Sequence, residues 1–473
     1  MIRWSRWRIV AALIVALWSV WVLERARLGV EIAELQVGPT PVTRMSDGSG
    51  GPPVVVAHGF AGSRQMMQAY GLTLARAGYT VHAFDFEGHG RHPDPMSGDV
   101  SAIDGTTQLL MAQTQNVIEA ARQGDTPVAL LGHSMATDIL VRVAAETEGV
   151  GPLVLLSAFS LAVTPTHPQD MLLITGAWEP GLRAFAERVT GEAAPDVRRG
   201  VEIAPAVEHV AILHSRAGQH AALDWLNDSY GRDGAAWVGP TGWALLGLLA
   251  AITILFAPVA RLLPATEVPE PPMGARAFLA AALIPAVAAP LLAAPVDTRI
   301  LPVLVADYLA LHLAIYGAVQ LAVLWWLGRR PGGLAPVAAV LLILWTLGIF
   351  GFALDRYGAN FWPVGDRWAI IAALSLGAVP FMLADSWLVH DAPVWQRITG
   401  RGAFLASLGV AVALDFEGLF FLLMIAPVIV LFYLSFGYMG RVTAARSGPL
   451  AAGLALGLAL AWALGVSFPL FRA

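Results

Sequence analysis

Long apolar stretches recur through the second half of the chain, and they limit the folds open to it more than any other feature. A helix of about 20 apolar residues spans the roughly 30 Å hydrocarbon core of a bilayer. The composition agrees, because 57% of the residues are hydrophobic and only 13% are charged, which excludes a disordered, fibrous or wholly soluble protein. The stretches after Gly239 are 243–263, 278–294, 301–327, 334–354, 368–389, 403–414, 419–438 and 450–470.

One of these stretches, 403–414, is short for a membrane span. With residues 415–418 as a turn, it is predicted to be half of a tight hairpin or a re-entrant segment, so seven or eight spans are expected in this part. Arginine placement favours eight, because basic residues concentrate on the cytoplasmic side of membrane proteins. The arginines that then lie in cytoplasmic loops are Arg329, Arg330, Arg397, Arg401, Arg441 and Arg446.

A further apolar run, residues 9–23, follows Arg6 and Arg8 at the start of the chain. An uncleaved membrane anchor is predicted rather than a cleaved signal peptide, because no cleavage site of the A-x-A kind follows the run. With the N-terminus in the cytoplasm, the segment after this span lies outside, the proline-rich residues 264–272 form a cytoplasmic linker, and Ala473 ends outside. This topology predicts an integral protein of a cell membrane, such as the bacterial inner membrane.

Between the first span and the others, the composition becomes that of an ordinary globular domain, in which short β-branched runs alternate with helical patterns. Such alternation predicts an α/β fold with a doubly wound, mostly parallel sheet, joined here to an all-α polytopic membrane domain. The predicted domains are the anchor 1–36, the α/β domain 37–232 and the multi-span domain 233–473 with about eight helices. The predicted strands are 54–57, 80–84, 128–131, 153–157 and 171–175, and the predicted helices are 65–77 and 106–122.

Charge and cysteine content narrow the chemistry of this domain. The chain has no cysteine, which excludes disulfides, thiolate metal sites and a cysteine nucleophile but leaves the redox compartment open. The net charge of −5 is small for this length and gives no electrostatic reason to expect nucleic acid as a partner. The chemistry is therefore sought among serine, histidine and carboxylate side chains.

Residues 128–137 have the pattern of a strand, a sharp turn and the start of a helix, with Ser134 at the apex. This pattern is typical of a nucleophile elbow, which needs small residues two positions before and after the serine because the strained turn brings backbone segments close together. Gly132 and Ala136 occupy those positions, so alanine replaces the second glycine of G-x-S-x-G. Ser134 is therefore the candidate nucleophile.

A glycine-containing loop, residues 58–63, follows the first predicted strand. Such a loop can turn a backbone N–H toward the elbow, and the residue after the nucleophile supplies a second N–H. The N–H groups of Phe60 and Met135 are predicted to form an oxyanion hole, aimed at charge that appears only in a tetrahedral intermediate. Taken alone, His58-Gly59 would be an ordinary tight turn.

With the turn Asp85-x-x-Gly88-x-Gly90, these motifs resemble the α/β-hydrolase superfamily, in particular its esterase, lipase and S33-peptidase-like branch. The resemblance extends over the globular part of the chain and implies acyl chemistry at a serine. It leaves the substrate open, because one fold carries many functions. Asp85 and His89 are predicted to form the turn rather than to take part in catalysis.

The resemblance also implies the order serine, acid, histidine along the chain. Residues 176–179 resemble the G-x-x-[DE] turn that carries the acid, so Glu179 is the candidate acid. Asp170, at the other end of that strand, would lie about 15 Å or more from the site at a rise of roughly 3.3 Å per residue. His209, in the loop after the last strand, is the candidate base that would accept the Ser134 proton, while Glu179 fixes its tautomer. The alternatives for the base are His214 and His220.

Two further features concern the surroundings of the site. The short connection between the predicted strands 153–157 and 171–175 replaces the helical lid of many relatives, so the site is predicted to be open to small esters or covered by the bilayer or the membrane domain. In the membrane part, Asp307 and His312 lie inside a predicted span and Asp385 lies near the end of another. Ionisable groups in lipid suggest transport or substrate handling. The alternatives are interhelical hydrogen bonds or, for Asp385, a position near the membrane interface.

These patterns predict a membrane-anchored serine hydrolase that cleaves an ester, of a hydrophobic or lipid-like substrate, through Ser134, His209, Glu179 and an acyl-enzyme. The expected partners are a small-molecule or lipid ester and the membrane, without nucleic acid. A membrane transport or lipid-handling protein with a non-catalytic hydrolase-like domain is the alternative, as is an acyltransferase or peptidase. No cofactor or metal is expected, because no nucleotide-binding or zinc-peptidase motif accompanies these residues.

Overall fold

The computed structural model describes residues 6–97, 103–265, 273–296, 300–330 and 332–472. Most of the predicted linker 264–272 lies outside these residues, as does Ala473. The first described element is helix α1 (Arg6–Arg27), which contains the apolar run predicted as the anchor.

A mixed eight-stranded sheet follows α1, in the order β1-β2-β4-β3-β5-β6-β7-β8. β2 pairs antiparallel with both β1 and β4, and all other neighbours are parallel, so the predicted doubly wound, mostly parallel sheet is confirmed. The strands are β1 (Glu31–Val37), β2 (Thr40–Ser46), β3 (Pro53–Ala57), β4 (Thr80–Phe84), β5 (Val128–His133), β6 (Val150–Leu156), β7 (Asp170–Gly176) and β8 (Arg198–Ala204).

Helices cover both faces of this sheet. Every residue of the central strands β3 and β5 is buried, which explains why both are continuous apolar runs rather than alternating ones. One core contains side chains of α2 and α6, and the core on the other face contains side chains of α3, α4 and α5. The helices are α2 (Gln68–Arg76), α3 (Gln108–Ala121), α4 (Met135–Glu146), α5 (Pro180–Gly191) and α6 (Arg216–Tyr230).

The remaining helices form an all-α domain. Among the described residues, nine helices are long and apolar enough to cross a membrane: α1 and eight that follow residue 240. Seven of the eight are the single helices α7 (Thr241–Ala260), α8 (Ala275–Ala293), α9 (Ala306–Trp326), α12 (Arg367–Leu388), α13 (Val394–Leu414), α15 (Leu422–Ser447) and α16 (Pro449–Ser467). The eighth is a continuous helix made of α10 (Pro336–Ile343), a π-helical turn (Leu344–Phe350) and α11 (Gly351–Tyr357). A short helix, α14 (Phe416–Leu419), lies between α13 and α15.

Residues 403–414 are not a short segment of their own, although a turn at 415–421 does join them to the next long helix. They are the second half of α13, which has 21 residues and is long enough to span. The polar side chains of Gln396, Arg397 and Arg401 interrupt the hydropathy pattern in the first turns of this helix, so the sequence shows only its apolar half.

Helix α1 is packed into the helical domain along α7. Gly247 allows the close approach, because a Cβ there would lie 2.9 Å from Ser19 Oγ and 3.2 Å from a Val15 methyl. At the end of α1, the ring of Trp21 meets that of Trp237 with centroids 6.4 Å apart. The N-terminal helix is therefore part of the bundle and not a separate tether.

Hydrogen bonds join the α/β domain to the helical domain at the turn after β4. Arg367, buried at the start of α12, donates to the Gly88 carbonyl at 2.9 Å, and the N–H of Leu470 donates to the same carbonyl at 2.8 Å. Arg91 forms an ion pair with Asp355 of α11 at 2.6 Å. The turn after β4, at the carboxyl ends of the parallel strands, thus holds the two domains together.

Candidate active site

Ser134 lies between the last residue of β5 and the first residue of α4, with φ 53° and ψ −118°. Non-glycine residues rarely adopt a positive φ, and this strain is typical of the turn that presents a nucleophile. Gly132 permits the turn, because a Cβ there would lie 2.6 Å from Leu140 Cδ1 and 3.3 Å from Ala136 Cβ. The backbone around Ser134 therefore has the shape of a nucleophile elbow.

Loops at the carboxyl ends of β5, β7 and β8 bring Ser134, Glu179 and His209 together. His209 Nε2 lies 2.8 Å from Ser134 Oγ, and His209 Nδ1 lies 2.7 Å from Glu179 Oε1. We assign the proton to Nδ1, because a carboxylate can only accept, so the Nε2 lone pair faces the serine hydroxyl. An imidazole in this tautomer can accept the serine proton and later return it to a leaving group.

Polar neighbours stabilise Glu179 in its buried position. Its Oε2 accepts hydrogen bonds from the Gly176 N–H and the Ser157 hydroxyl, each at 2.7 Å. Burial raises the pKa of this carboxyl, but the hydrogen bonds from His209, Gly176 and Ser157 outweigh burial and lower the pKa below its ordinary value. Glu179 is therefore ionised at neutral pH and can hold His209 in one orientation.

The loop after β3 packs against the elbow. A Cβ on Gly59 would lie only 3.0 Å from Ser134 Cβ. His58 fixes this loop, because its Nδ1–H donates to the Gly59 carbonyl at 2.7 Å and its Nε2 accepts from the Phe86 N–H at 3.1 Å. Burial lowers the pKa of His58, although nearby Asp85 opposes this, and the neutral ring is the form that this bonding pattern requires.

The two amides predicted for the oxyanion hole lie on the segments that meet here. Phe60 follows Gly59 in the loop, and Met135 follows Ser134 as the first residue of α4. Within the described residues, neither N–H donates to a protein acceptor, so both are available to a substrate oxygen. The positive end of the α4 dipole adds to the attraction for an anion at this point.

Asp85 has the turn-forming position expected for it. It is fully buried, accepts from the backbone N–H of Arg64 at 2.7 Å and of Arg91 at 2.9 Å, and pairs with the Arg64 guanidinium. His89 bonds through Nδ1 to the Glu87 carbonyl at 2.8 Å. Neither side chain contacts Ser134, so both support the turn and not the reacting group.

His133, the residue before the candidate nucleophile, has a positioning role that the motif does not reveal. Its Nε2 lies 2.8 Å from the His209 carbonyl oxygen. Burial, and then repulsion from His209, lower the pKa of His133 to about 4, so the ring is neutral at pH 7 and its Nε2–H donates. His133 thus anchors the backbone of the loop that carries the candidate base. The sequence does not predict this contact, because the pattern G-x-S-x-A places no requirement on the residue before the serine.

The rival residues lie away from Ser134. His214 is bonded to Thr241 of α7 at 3.1 Å, and burial lowers its pKa to about 4. His220 is exposed on α6, and Asp170 pairs with Arg198 at 3.2 Å. The structure therefore brings His209, and not His214, His220 or Asp170, to the serine.

The ionisable residues of the helical domain have polar partners. Asp307 lies in the first turn of α9 and accepts from a backbone N–H of the preceding loop at 2.9 Å. His312 bonds to Ser407 of α13 at 3.1 Å, and Asp385 pairs with Arg401 at 3.2 Å. The contacts of His312 and Asp385 match the interhelical alternative to a transport role, whereas Asp307 bonds to the loop before its own helix.

The edge of the sheet around the site is open and apolar. The connection between β6 and β7 is described throughout and contains no helix, as expected for a domain without a lid. Large apolar side chains project from the loops after β6, β7 and β8, although most such side chains are buried in soluble domains. This apolar rim consists of Phe159, Leu161, Trp178 and Val210, with exposed fractions of 54%, 80%, 66% and 53%.

Acidification from pH 7 to 5 should destabilise the α/β domain. Burial, followed by repulsion from Arg44, lowers the pKa of His82 to about 4, as burial does for His133. Between pH 6.5 and 4 the unfolded chain therefore binds protons that the folded chain does not. The free energy of unfolding should decrease as the pH is lowered, on the order of 2 kcal/mol per histidine between pH 7 and 5. Thermal unfolding followed by tryptophan fluorescence measures this, and His82→Gln should flatten the pH dependence. A melting temperature that is constant over this range would contradict the assignment.

A known protein family matches part of the α/β domain. Residues 52–208 match the model of the family described as serine aminopeptidase, S33. The matched segment contains Ser134 and Glu179 and ends at Glu208, immediately before His209. No curated protein matches the chain.

Solved structures of hydrolases are similar in part. A predicted CIB-like hydrolase from Thermoplasma acidophilum has 17% identity and a TM-score of 0.35, covering 42% of this chain and 98% of its own. A dienelactone hydrolase from Anabaena variabilis has 18% identity and a TM-score of 0.33, covering 43% and 96%. A membrane phospholipase A, described as a bacterial virulence factor, has 17% identity and a TM-score of 0.35, covering 47% and 93%. The mixed eight-stranded sheet with helices on both faces, together with the family match, shows that the α/β part of this chain has the α/β-hydrolase fold, and its segment 52–208 matches the S33 serine aminopeptidase family.

Proposed function

We propose that the protein is a membrane-anchored serine hydrolase that cleaves an ester bond of a hydrophobic or lipid-like substrate. The fold and the family match support a hydrolase. The observation that carries the proposal is the hydrogen-bonded series Ser134, His209 and Glu179, with distances of 2.8 and 2.7 Å, at a strained elbow. Nucleophile, base and orienting carboxylate in this arrangement are the parts that acyl transfer from an ester to serine needs.

The proposed reaction has two halves. The Ser134 hydroxyl attacks the ester carbonyl carbon while His209 Nε2 accepts its proton, and the resulting oxyanion accepts hydrogen bonds from the N–H groups of Phe60 and Met135. His209 then protonates the leaving alcohol oxygen as the C–O bond breaks, which leaves an acyl-enzyme. Water attacks the acyl group with the same proton transfers, releases a carboxylic acid and restores Ser134.

An apolar substrate is supported by the surroundings of the site. The apolar rim exposes four large side chains at the same edge of the sheet as Ser134. Clustered exposed apolar surface on a soluble domain usually marks a binding surface. The helical domain holds this edge near the bilayer, because Arg367 and Arg91 bind the turn beside it. A lipid-dissolved ester would therefore meet the site at high local concentration.

Esters of increasing acyl length test the proposed reaction. The purified protein should hydrolyse p-nitrophenyl esters, with kcat/KM higher for an eight-carbon acyl group than for acetate, because each buried methylene contributes about 0.8 kcal/mol. Release of p-nitrophenol measures the rate, and the product acid should form in equal amount. Binding without turnover would favour the lipid-handling alternative, and transfer to added alcohol in place of water would favour an acyltransferase.

We also propose that the α/β domain lies outside the cytoplasm of a bacterial-type cell membrane. Helix α1 has Arg6 and Arg8 in its first turn, and the arginines of α13 and α15 lie on the side that the positive-inside rule assigns to the cytoplasm. A phosphatase reporter fused after Gly234 should be active only outside the cytoplasm, whereas one fused at Arg330 or Arg446 should be inactive there. Activity of the reporter at Arg330 or Arg446 and not at Gly234 would show that the α/β domain lies in the cytoplasm.

A further inference from the structure

An apolar cavity of about 110 Å³ lies between residues 58–63, called here the oxyanion loop, and the helical domain. Its walls come from four parts of the chain: the oxyanion loop, the segment before α9, the start of α15 and the segment after α16. Among the described residues that line it, Ser467 has the one polar side chain, and its hydroxyl donates to the Ala463 carbonyl at 2.7 Å.

Phe60 joins this cavity to the candidate active site. Its backbone N–H is the proposed donor to the substrate carbonyl oxygen, and its side chain forms one wall of the cavity. The Phe60 ring lies 5.8 Å from the ring of Phe421 on the helical domain and 6.4 Å from that of Phe471 near the end of the chain. A chain attached to a carbonyl carbon bound at this N–H therefore starts beside the cavity.

The backbone of the walls is strained at two positions. Ala61 in the oxyanion loop has φ 55°, and Val305 before α9 has φ 56°. Positive φ is unfavourable for alanine and is a genuine outlier for a β-branched residue such as valine. Such strain persists only where the surrounding structure enforces it, and it clusters at ligand sites. Both residues line the cavity. Their strained backbone favours a ligand site over an accidental gap in the packing.

The cavity also reaches the outer surface of the bundle at one lining residue. Met424 on α15 lines it and is 44% exposed, and the adjacent Leu423 is 48% exposed on the surface of the helix. In a membrane-spanning bundle, exposed apolar side chains on this helix contact hydrocarbon. An apolar chain can therefore enter from the bilayer without crossing water.

We propose that this cavity binds the acyl chain of the substrate, so that the membrane domain supplies the specificity pocket of the α/β-hydrolase domain. The inference rests on the proposed ester hydrolysis and names its substrate class: esters of medium or long unbranched fatty acids. The carbonyl lies at Phe60 and Met135, and the chain extends past the Phe60 ring toward Met424 and Val428 of α15. Because the walls are apolar, the cavity distinguishes substrates by the number of acyl methylenes that it can bury.

Substitutions of Val428, which lines the cavity from α15, test this inference. Val428→Phe reduces the space and should lower kcat/KM for p-nitrophenyl decanoate at least tenfold relative to wild type, while kcat/KM for the acetate changes less than twofold. Val430→Phe is the matched control, because Val430 lies on the same helix, is 41% exposed and does not line the cavity. It should leave both esters unaffected. Each methylene excluded should cost roughly fourfold in kcat/KM.

Val428→Ala provides a second variant that enlarges the cavity without crowding it. It should move the acyl length of maximal kcat/KM to longer chains. If both Val428 variants keep the wild-type length profile while the acetate is cleaved normally, the cavity is not the acyl site, although the proposed function stands. If the wild-type protein cleaves none of the esters, the proposed function fails and this inference fails with it.

Discussion

Ser134→Ala should reduce kcat for any ester that the wild-type protein cleaves by about 10⁵-fold, because it removes the attacking oxygen while leaving binding intact. The Ser134 side chain bonds to His209, and its replacement leaves the bond between His209 and Glu179 in place. The melting temperature should therefore change little. Single-turnover measurements with a chromogenic ester separate the loss of chemistry from any loss of binding.

Ser49→Ala is a suitable control for this experiment. Ser49 is an exposed serine in the loop before β3, at the amino end of the parallel strands and opposite the candidate site. Its loss should leave kcat within twofold of wild type. Activity of Ser134→Ala close to that of the control would show that another group performs the reaction.

His209→Ala should have an effect of similar size, about 10⁴-fold or more in kcat, because the serine hydroxyl then has no base to accept its proton. His214→Ala is the matched control, since His214 lies five positions along the chain but bonds to Thr241 of α7. We expect it to keep activity within a few fold of wild type. The reverse result, an inactive His214→Ala and an active His209→Ala, would exchange the roles of the two histidines. The wild-type and variant rates are compared at the same pH.

The parts of the site that follow from local sequence could be predicted. Ser134 is marked by small residues at fixed offsets between a buried strand and a helix, and this local pattern determines the shape of the turn. Glu179 and His209 follow the ends of strands, and parallel strands bring their carboxyl ends to one edge. Chain order was therefore enough to place these three residues together.

Contacts between distant segments could not be predicted in this way. Arg367 and Gly88 are 279 positions apart, and neither carries a signal that they will meet. The same holds for the cavity beside Phe60, whose walls come from segments separated by hundreds of residues. Hydropathy and strand periodicity describe single elements, whereas these contacts depend on how the two domains pack.

Strands with polar faces were also missed. β1 is mostly exposed at the edge of the sheet and carries Glu31 and Glu34, and β8, at the opposite edge, begins with two arginines and is only half buried. Neither has the continuous apolar run that marks β3 and β5, because an edge strand packs on fewer neighbours. Their presence follows from pairing with strands already formed and not from their own sequence.

The central claim, that Ser134 is the nucleophile of an acyl-transferring site, is tested most directly by locating a covalent adduct. The full-length protein in membranes is treated with a fluorophosphonate, which reacts with a serine activated by a neighbouring base, and the modified peptide is identified by mass spectrometry. We predict one modified residue, Ser134, with the adduct absent in both Ser134→Ala and His209→Ala. An adduct on a different serine, or a wild-type protein that remains unmodified, would contradict the claim.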